Sequence, residues 1–117
     1  MSDELVPFRV GQAFDIHASS KDPERRLVLG GVTFADAQGL AGHSDADVVA
    51  HVCADAILGA CGLGDIGQMF PDTDPELAGA NSIELLRRAA AAVHAEGWRV
   101  GNIDCSVVLD GPKLSPV

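Results

Sequence analysis

The sequence is organised around the stretch Gly42-His43-Ser44-Asp45-Ala46-Asp47-Val48-Val49-Ala50-His51. Ser44 is followed three residues later by Asp47, which resembles a capping box. In that motif a hydroxyl and a carboxylate accept hydrogen bonds from the free N–H groups of the first helical turn. The pattern therefore predicts a helix that begins at Ser44.

Two stripes run along this predicted helix. Apolar residues recur at the helical spacing that marks a core-facing side, namely Val49, Val52, Cys53, Ala56, Ile57 and Ala60. Asp47, His51 and Asp55 are spaced by four and form a polar stripe on roughly the opposite side. That polar stripe has two interpretations: a solvated face, or a histidine metal ligand supported by neighbouring carboxylates.

Strand signals precede the helix. Residues 7–17 predict a first strand, because Phe8, Val10, Phe14 and Ile16 are apolar residues typical of strands. On such a strand Asp15 and His17 project to the same face. The runs 26–29 and 32–34 flank Gly30-Gly31 and predict two short strands joined by a tight turn. We expect residues 35–42 to be an irregular connection.

The second half of the chain predicts a loop, a helix and further strands. Residues 65–75 carry prolines and acids, and we expect no regular structure there. A second helix starts at Asn81 or Ser82 and stops at Gly97. Its predicted buried residues are Ile83, Leu86, Ala90 and Val93. Residues 98–100 and 103–109 then predict strands.

These elements predict one α/β domain over residues 1–117, of the α+β type, with helices packed on one face of a mixed sheet. The other face of such a sheet is apolar and uncovered, which favours an oligomer. The chain has 117 residues and a net charge of −9. That charge argues against nucleic acid and anionic membranes as partners. The acidic N-terminus predicts neither a signal peptide nor a membrane span, and with three cysteines, an odd number, we expect reduced thiols and a cytoplasmic location.

Three residues suggest a metal site. Asp15 and His17 from the first strand and His51 from the helix supply one oxygen and two nitrogen donors. Such a set suits zinc with one position left open for substrate, although isolated histidines are more often structural. His43 and Ser44 lie at a predicted helix N-terminus, which favours a phosphate, and the alternative is a plain cap. Lys113 is either a second phosphate ligand or a solvated turn residue.

The chain resembles the 2-C-methyl-D-erythritol 2,4-cyclodiphosphate synthase family from Arg9 onward. The resemblance is carried by runs in the family's order and spacing: Gly11 to His17, Gly42 to Val48 with His51, Leu63 to Gly67, Phe70 to Asp74, and Gly111-Pro112-Lys113. It implies a lyase of the non-mevalonate isoprenoid pathway. The implied substrate is 4-diphosphocytidyl-2-C-methyl-D-erythritol 2-phosphate, and the implied products are the cyclodiphosphate and CMP.

The resemblance also implies site roles and partners. Asp15, His17 and His51 would hold zinc, and His43 and Ser44 would stabilise the phosphate in the transition state. The substrate-binding residues would be Asp65, Ile66, Gly67, Phe70, Pro71, Asp72, Thr73 and Asp74. The nucleotide-binding residues would be Leu109, Asp110, Gly111, Pro112, Lys113 and Ser115. Members of the family are homotrimers with active sites between subunits, and Mg²⁺ or Mn²⁺ binds the substrate diphosphate.

The sequence departs from the family at three positions and at its C-terminal end. Gln12 and Ala13 stand where relatives often have His and Gly, and Ala46 stands where they often have Gly. Relatives also continue for several dozen residues past the position of Val117, so the chain corresponds to roughly the N-terminal three quarters of the family's domain. An alternative function is therefore a non-catalytic trimeric module that binds zinc or phosphate, and a zinc hydrolase is a third hypothesis.

Overall fold

In a computed structural model of the protein, the described residues are 7–42, 44–71, 73–77 and 80–109. Two strands, β1 (Arg26–Leu29) and β2 (Val32–Gln38), are followed by helices α1 (Val48–Ala60), α2 (Ile66–Met69) and α3 (Ser82–Ala95). A single 3-10 turn, Pro75–Leu77, lies between α2 and α3. The α+β class predicted from the sequence is confirmed.

The strands β1 and β2 form an antiparallel hairpin, as predicted. Leu29 pairs with Val32 and Leu27 with Phe34, and the register shifts between Arg26 and Leu27. Gly30 and Gly31 have φ of 59° and 81°, which the tight hairpin turn requires. The second strand is longer than predicted, because residues 35–38 continue it.

The described residues contain only this two-stranded sheet. The mixed sheet was predicted from further strands at 7–17, 98–100 and 103–109, and these segments have no assigned strand. A strand needs a hydrogen-bonded neighbour, and a period-two pattern in the sequence does not supply one. The alternation itself is present: Phe14 and Ile16 are exposed, whereas Asp15 and His17 between and after them are half-buried.

Helix α1 begins later than predicted. Its N-cap is Asp47, not Ser44, and the Asp47 side chain accepts a hydrogen bond from the Ala50 N–H. The backbone at Ala46 has φ of 55°, which is outside the helical range, so the helix cannot extend back to Ser44. The second helix starts as predicted, with Asn81 as the N-cap of α3.

The core of the described residues consists of two clusters, one between α1 and α3 and one around β1. Ala54, Ile57 and Leu58 of α1 pack on Ala89 and Val93 of α3. A second cluster joins the sheet to the segment before α1 and consists of Leu27, Leu29, Leu40 and Ala46.

The buried sides of both helices are rotated from the prediction. Ala50, Ala54, Ile57 and Leu58 are buried in α1, while most of the predicted stripe is half-buried. In α3 the buried apolar residues are Leu85, Ala89 and Val93, which confirms Val93. Of the other predicted residues, Leu86 and Ala90 are partly buried and pack against the core, and Ile83 is only partly buried. Each helix has apolar residues on a wide arc, and packing selects only part of it.

The expectation that residues 65–75 lack regular structure is wrong for 66–69. Asp65 caps the short helix α2 by accepting a hydrogen bond from the Gln68 N–H at 2.8 Å. Among the described residues, no helix is both long and apolar enough to cross a bilayer.

Candidate metal centre

Asp15, His17 and His51 meet at one point beside α1. One ligand atom from each residue lies within 4.8 Å of the others. The Nε2 atom of His17 is 3.3 Å from Oδ1 of Asp15, and Nδ1 of His51 is 3.5 Å from Oδ2 of the same carboxylate. The structure therefore brings together the three residues that were predicted from the sequence to form a metal site.

The alternating exposure of segment 11–18 explains how two of these residues converge. Asp15 and His17 are both turned toward α1, and their side chains are about one fifth exposed. His51 lies in the first turns of α1, and its side chain is 13% exposed. The polar stripe of α1 is thus not a solvated face, because Asp47 is fully buried and His51 and Asp55 are partly buried.

The donor set fits a zinc ion. Two imidazole nitrogens and one carboxylate are typical ligands of a catalytic zinc site. Donor atoms around a tetrahedral zinc lie about 3.3 Å apart, since each bond is about 2.0 Å long. The observed separations of 3.3 and 3.5 Å are close to that value.

The second nitrogen of each imidazole is already bonded. His17 donates through Nδ1 to the carbonyl oxygen of Ala41 at 2.6 Å. Such a bond fixes the tautomer and leaves Nε2 with a free lone pair toward Asp15. The Nε2 atom of His51 lies 2.7 Å from the Ser82 hydroxyl and 3.1 Å from the Ser44 hydroxyl.

Asp55 extends this region toward α2. Its Oδ1 accepts a hydrogen bond from the Ile66 N–H at 2.6 Å. Burial raises the pKa of the Asp55 carboxyl above its usual value, the bond from Ile66 opposes that rise, and the nearby carboxylates of Asp65 and Asp15 add to it. A chain of charged groups therefore runs from the candidate metal centre to the start of α2.

Of the two residues predicted to bind a phosphate, the structure describes only one. His43 lies outside the described residues. Ser44 is buried, but it is not the cap of α1, and its hydroxyl contacts His51 and Ser82. Ser82 was not predicted as a neighbour of His51, because Ser82 is 31 positions from it and no local motif joins the two.

The predicted substrate residues lie mainly around α2. Asp65 caps that helix, Ile66 donates to Asp55, and Phe70 ends the helix beneath the guanidinium of Arg88. Asp74 accepts a hydrogen bond from the Glu76 N–H at 3.0 Å. Gly67, Pro71 and Thr73 are exposed. Asp72 lies outside the described residues.

The predicted nucleotide residues are almost all outside the described part. Asp110, Gly111, Pro112, Lys113 and Ser115 fall there. Leu109 is described, and it packs against the second core cluster, which consists of Leu27, Leu29, Leu40 and Ala46.

Comparison with known proteins decides the family. Residues 8–117 match the YgbB family. The chain belongs to the YgbB family. Curated relatives of this YgbB-family chain include the 2-C-methyl-D-erythritol 2,4-cyclodiphosphate synthase of Enterococcus faecalis, which is 53% identical over 92% of this chain and 68% of its own length. The synthase of the same name from Bordetella avium is 56% identical over 95% of this chain and 67% of its own length.

Solved structures of the family agree in fold. The Plasmodium falciparum IspF complex with CDP matches with a TM-score of 0.73 and 38% identity, and the match covers 92% of this chain and 64% of that one. The chain spans about two thirds of the length of the curated relatives. YgbB-family relatives with this name are lyases, so the enzyme class predicted from the sequence is confirmed.

Proposed function

We propose that Asp15, His17 and His51 hold one zinc ion per chain, and that this site serves the cyclodiphosphate synthase reaction for which the relatives are named. The proposed substrate is 4-diphosphocytidyl-2-C-methyl-D-erythritol 2-phosphate. The proposed products are 2-C-methyl-D-erythritol 2,4-cyclodiphosphate and CMP. The observation that carries the proposal is the convergence of one carboxylate and two imidazoles whose outer nitrogens are already bonded.

The reaction joins two groups of the same molecule. An oxygen of the 2-phosphate bonds to the β-phosphorus, the bond from that phosphorus to the bridging oxygen breaks, and CMP leaves with that oxygen. Bound cations would supply charge neutralisation for the two phosphates. A chain with a net charge of −9 has few cationic side chains for this task, which favours metal ions, and we propose Mg²⁺ or Mn²⁺ on the diphosphate in addition to zinc.

The protein's own groups then align the reacting phosphates. We propose that His43 and Ser44 stabilise the transferred phosphate, since Ser44 lies against the metal ligand His51. Residues 65–67 and 70–74 would bind the methylerythritol part, and 109–113 with Ser115 the cytidine diphosphate. Holding the two phosphates in position removes much of the entropic cost of their encounter.

We further propose a cytoplasmic homotrimer with active sites between subunits. The support is a set of large apolar side chains that are exposed in the single chain, namely Phe8, Val10, Phe14, Ile16 and Val108. Isolated apolar residues on a surface are ordinary, but here four large exposed ones fall within residues 8–16. Light scattering of the purified protein measures the assembly directly.

The test of the metal assignment uses a pair of histidine variants. His51→Ala removes one proposed ligand, and His94→Ala removes an exposed histidine of α3 as a matched control. We expect elemental analysis to find zinc in the wild type and in His94→Ala and its loss in His51→Ala, with parallel loss of CMP release. Equal zinc content in all three proteins would refute the ligand assignment.

The reaction products separate the competing functions. A cyclic diphosphate together with CMP supports the synthase. A linear, hydrolysed product would indicate the zinc hydrolase, in which metal-bound water attacks. Binding of zinc without any product would indicate the non-catalytic module.

A further inference from the structure

The hydrogen bonds around His51 determine which of its nitrogens faces the candidate metal centre. Nδ1 points toward Asp15, and Nε2 points away, toward Ser82. A neutral imidazole carries one proton, so only one of these nitrogens has a free lone pair. Only the Nε2–H tautomer leaves Nδ1 free to bind a metal.

Ser82 is itself held by Asp45. The Ser82 hydroxyl is hydrogen-bonded to Oδ1 of Asp45, and the Ser82 backbone N–H donates to Oδ2 of the same carboxylate at 3.0 Å. An ionised carboxylate accepts hydrogen bonds and cannot donate one. The single hydroxyl proton of Ser82 must therefore point to Asp45.

This arrangement fixes the direction of the next bond. With its proton committed to Asp45, the Ser82 oxygen has only lone pairs left for His51. The bond of 2.7 Å between them then requires that Nε2 of His51 be the donor. His51 therefore donates a hydrogen bond to Ser82, and Ser82 donates one to Asp45.

We propose that Ser82 and Asp45 are positioning residues that hold His51 as the Nε2–H tautomer and so present Nδ1 to the metal. The inference deepens the proposed function and rests on it, since it assigns the metal ligand atom of His51. Ser82 is fully buried, so water does not compete for its hydroxyl. The Ser44 hydroxyl, 3.2 Å from that of Ser82, lies beside the same nitrogen and is compatible with either tautomer.

The hydrogen bond between His51 and Ser82 also links two helices beside the candidate metal centre. His51 lies on α1, and Ser82 is the first residue of α3. Asp45 precedes α1, and its N–H donates to the carbonyl oxygen of Ala80 at 3.0 Å. A purely structural role would be limited to joining these segments, so the experiment must measure the tautomer and not only stability.

The test is nitrogen NMR of the imidazole rings in metal-free, ¹⁵N-labelled protein, in alkaline buffer where a free imidazole is neutral. In the wild type we expect His51 to show one dominant tautomer with the proton on Nε2. In Ser82→Ala and in Asp45→Ala we expect both tautomers, because the directing acceptor is lost. Zinc affinity, measured by chelator competition, is expected to fall by about 10- to 100-fold in both variants.

The matched control is Asn81→Ala, which removes the N-cap of the same helix without touching His51. We expect it to lower stability and to leave the His51 tautomer and zinc affinity unchanged. A wild-type His51 with the proton on Nδ1 would overturn the proposal without any variant, and so would an unchanged tautomer in folded Ser82→Ala. Neither result would disturb the ligand assignment tested by His51→Ala, so the two proposals fail separately.

Discussion

The Nδ1 atom of His17 lies 2.6 Å from the carbonyl oxygen of Ala41. This bond orients the ring and directs Nε2 toward Asp15. If His17 holds zinc as proposed, it has two separable roles, one in holding the segment 13–18 against residues 40–42 and one in supplying a metal ligand. Substitutions that preserve one role and remove the other distinguish them.

His17→Asn is expected to separate these roles. The Asn amide nitrogen occupies nearly the position of Nδ1 and keeps a donor for Ala41, but no atom replaces Nε2. Because loss of an outer hydrogen-bond partner alone costs about 10- to 100-fold in metal affinity, loss of the ligand should cost more than about 100-fold. Chelator competition measures the affinity.

The control for this variant is His17→Ala, which removes both roles. We expect the metal-free His17→Asn protein to melt near the wild-type temperature and His17→Ala to melt lower. If His17→Asn binds zinc as tightly as the wild type, His17 is not a ligand.

Asp47 is a buried carboxylate that joins the hairpin to α1. Its Oδ1 accepts hydrogen bonds from Gly30 N–H at 2.8 Å and Ala50 N–H at 3.0 Å, and its Oδ2 accepts one from Gly31 N–H at 2.7 Å. Asp47→Ala would leave these three donors without an acceptor. We expect a loss of about 3 to 5 kcal/mol in the free energy of unfolding, measured by urea titration.

Asn81→Ala is the matched control, because Asn81 caps α3 from an exposed position. Loss of an ordinary N-cap costs about 1 kcal/mol. Equal losses in Asp47→Ala and Asn81→Ala would mean that the bonds to the glycine turn contribute nothing to stability.

Ala46 is the only described residue other than glycine with positive φ, at 55°. In Ala46→Gly, relief of left-handed strain gains about 1 to 2 kcal/mol. Loss of a buried methyl costs about 0.8 kcal/mol, and the added chain entropy of glycine costs about 0.5 to 1 kcal/mol. These terms nearly cancel, so we expect a stability change of less than about 1 kcal/mol in either direction.

The comparison is Ala54→Gly, at an equally buried position within α1. There the helix penalty of glycine and the lost methyl add, and we expect a loss of about 2 kcal/mol in the urea titration. If both variants lose the same stability, the backbone at Ala46 carries no strain.

Local patterns in the sequence were sufficient for some parts of the molecule. The Gly30-Gly31 turn and the common face of Asp15 and His17 followed from short-range spacing, whereas the grouping of these two residues with His51 depended on the resemblance of the motifs. The start of α1 could not be read in this way, because Ser44 and Asp47 are both good capping residues. The backbone conformation of Ala46 decided between them.

Other features depend on contacts between distant segments. Residues 11–17 have the alternating exposure of a strand, but strand pairing depends on a neighbour that the local sequence does not specify. Likewise, Ser82 reads as a helix-starting serine, and only the packing of α3 beside α1 brings it to His51. The hydrogen-bond partner that Ser82 provides for His51 was therefore not predictable from motif spacing.

Asp55 provides a pH-dependent test of the region between α1 and α2. Because the pKa of its carboxyl is raised in the folded protein, the folded state binds the proton more tightly than the unfolded state does. Its contribution to stability is therefore fully present below the usual value of 3.8 and is lost as pH rises through the folded pKa. Asp55→Asn keeps an oxygen acceptor for the Ile66 N–H and removes this titration.

We expect Asp55→Asn to gain stability relative to the wild type as the pH rises from about 3 to 7, in urea titrations with a chelator present. Asp36→Asn, which removes an exposed carboxylate of β2, controls for the change in net charge. The stability of Asp36→Asn relative to the wild type should not rise with pH as that of Asp55→Asn does. A relative stability of Asp55→Asn that falls with pH would show that the hydrogen bond from Ile66, which favours the ionised carboxylate, outweighs the cost of burying that charge.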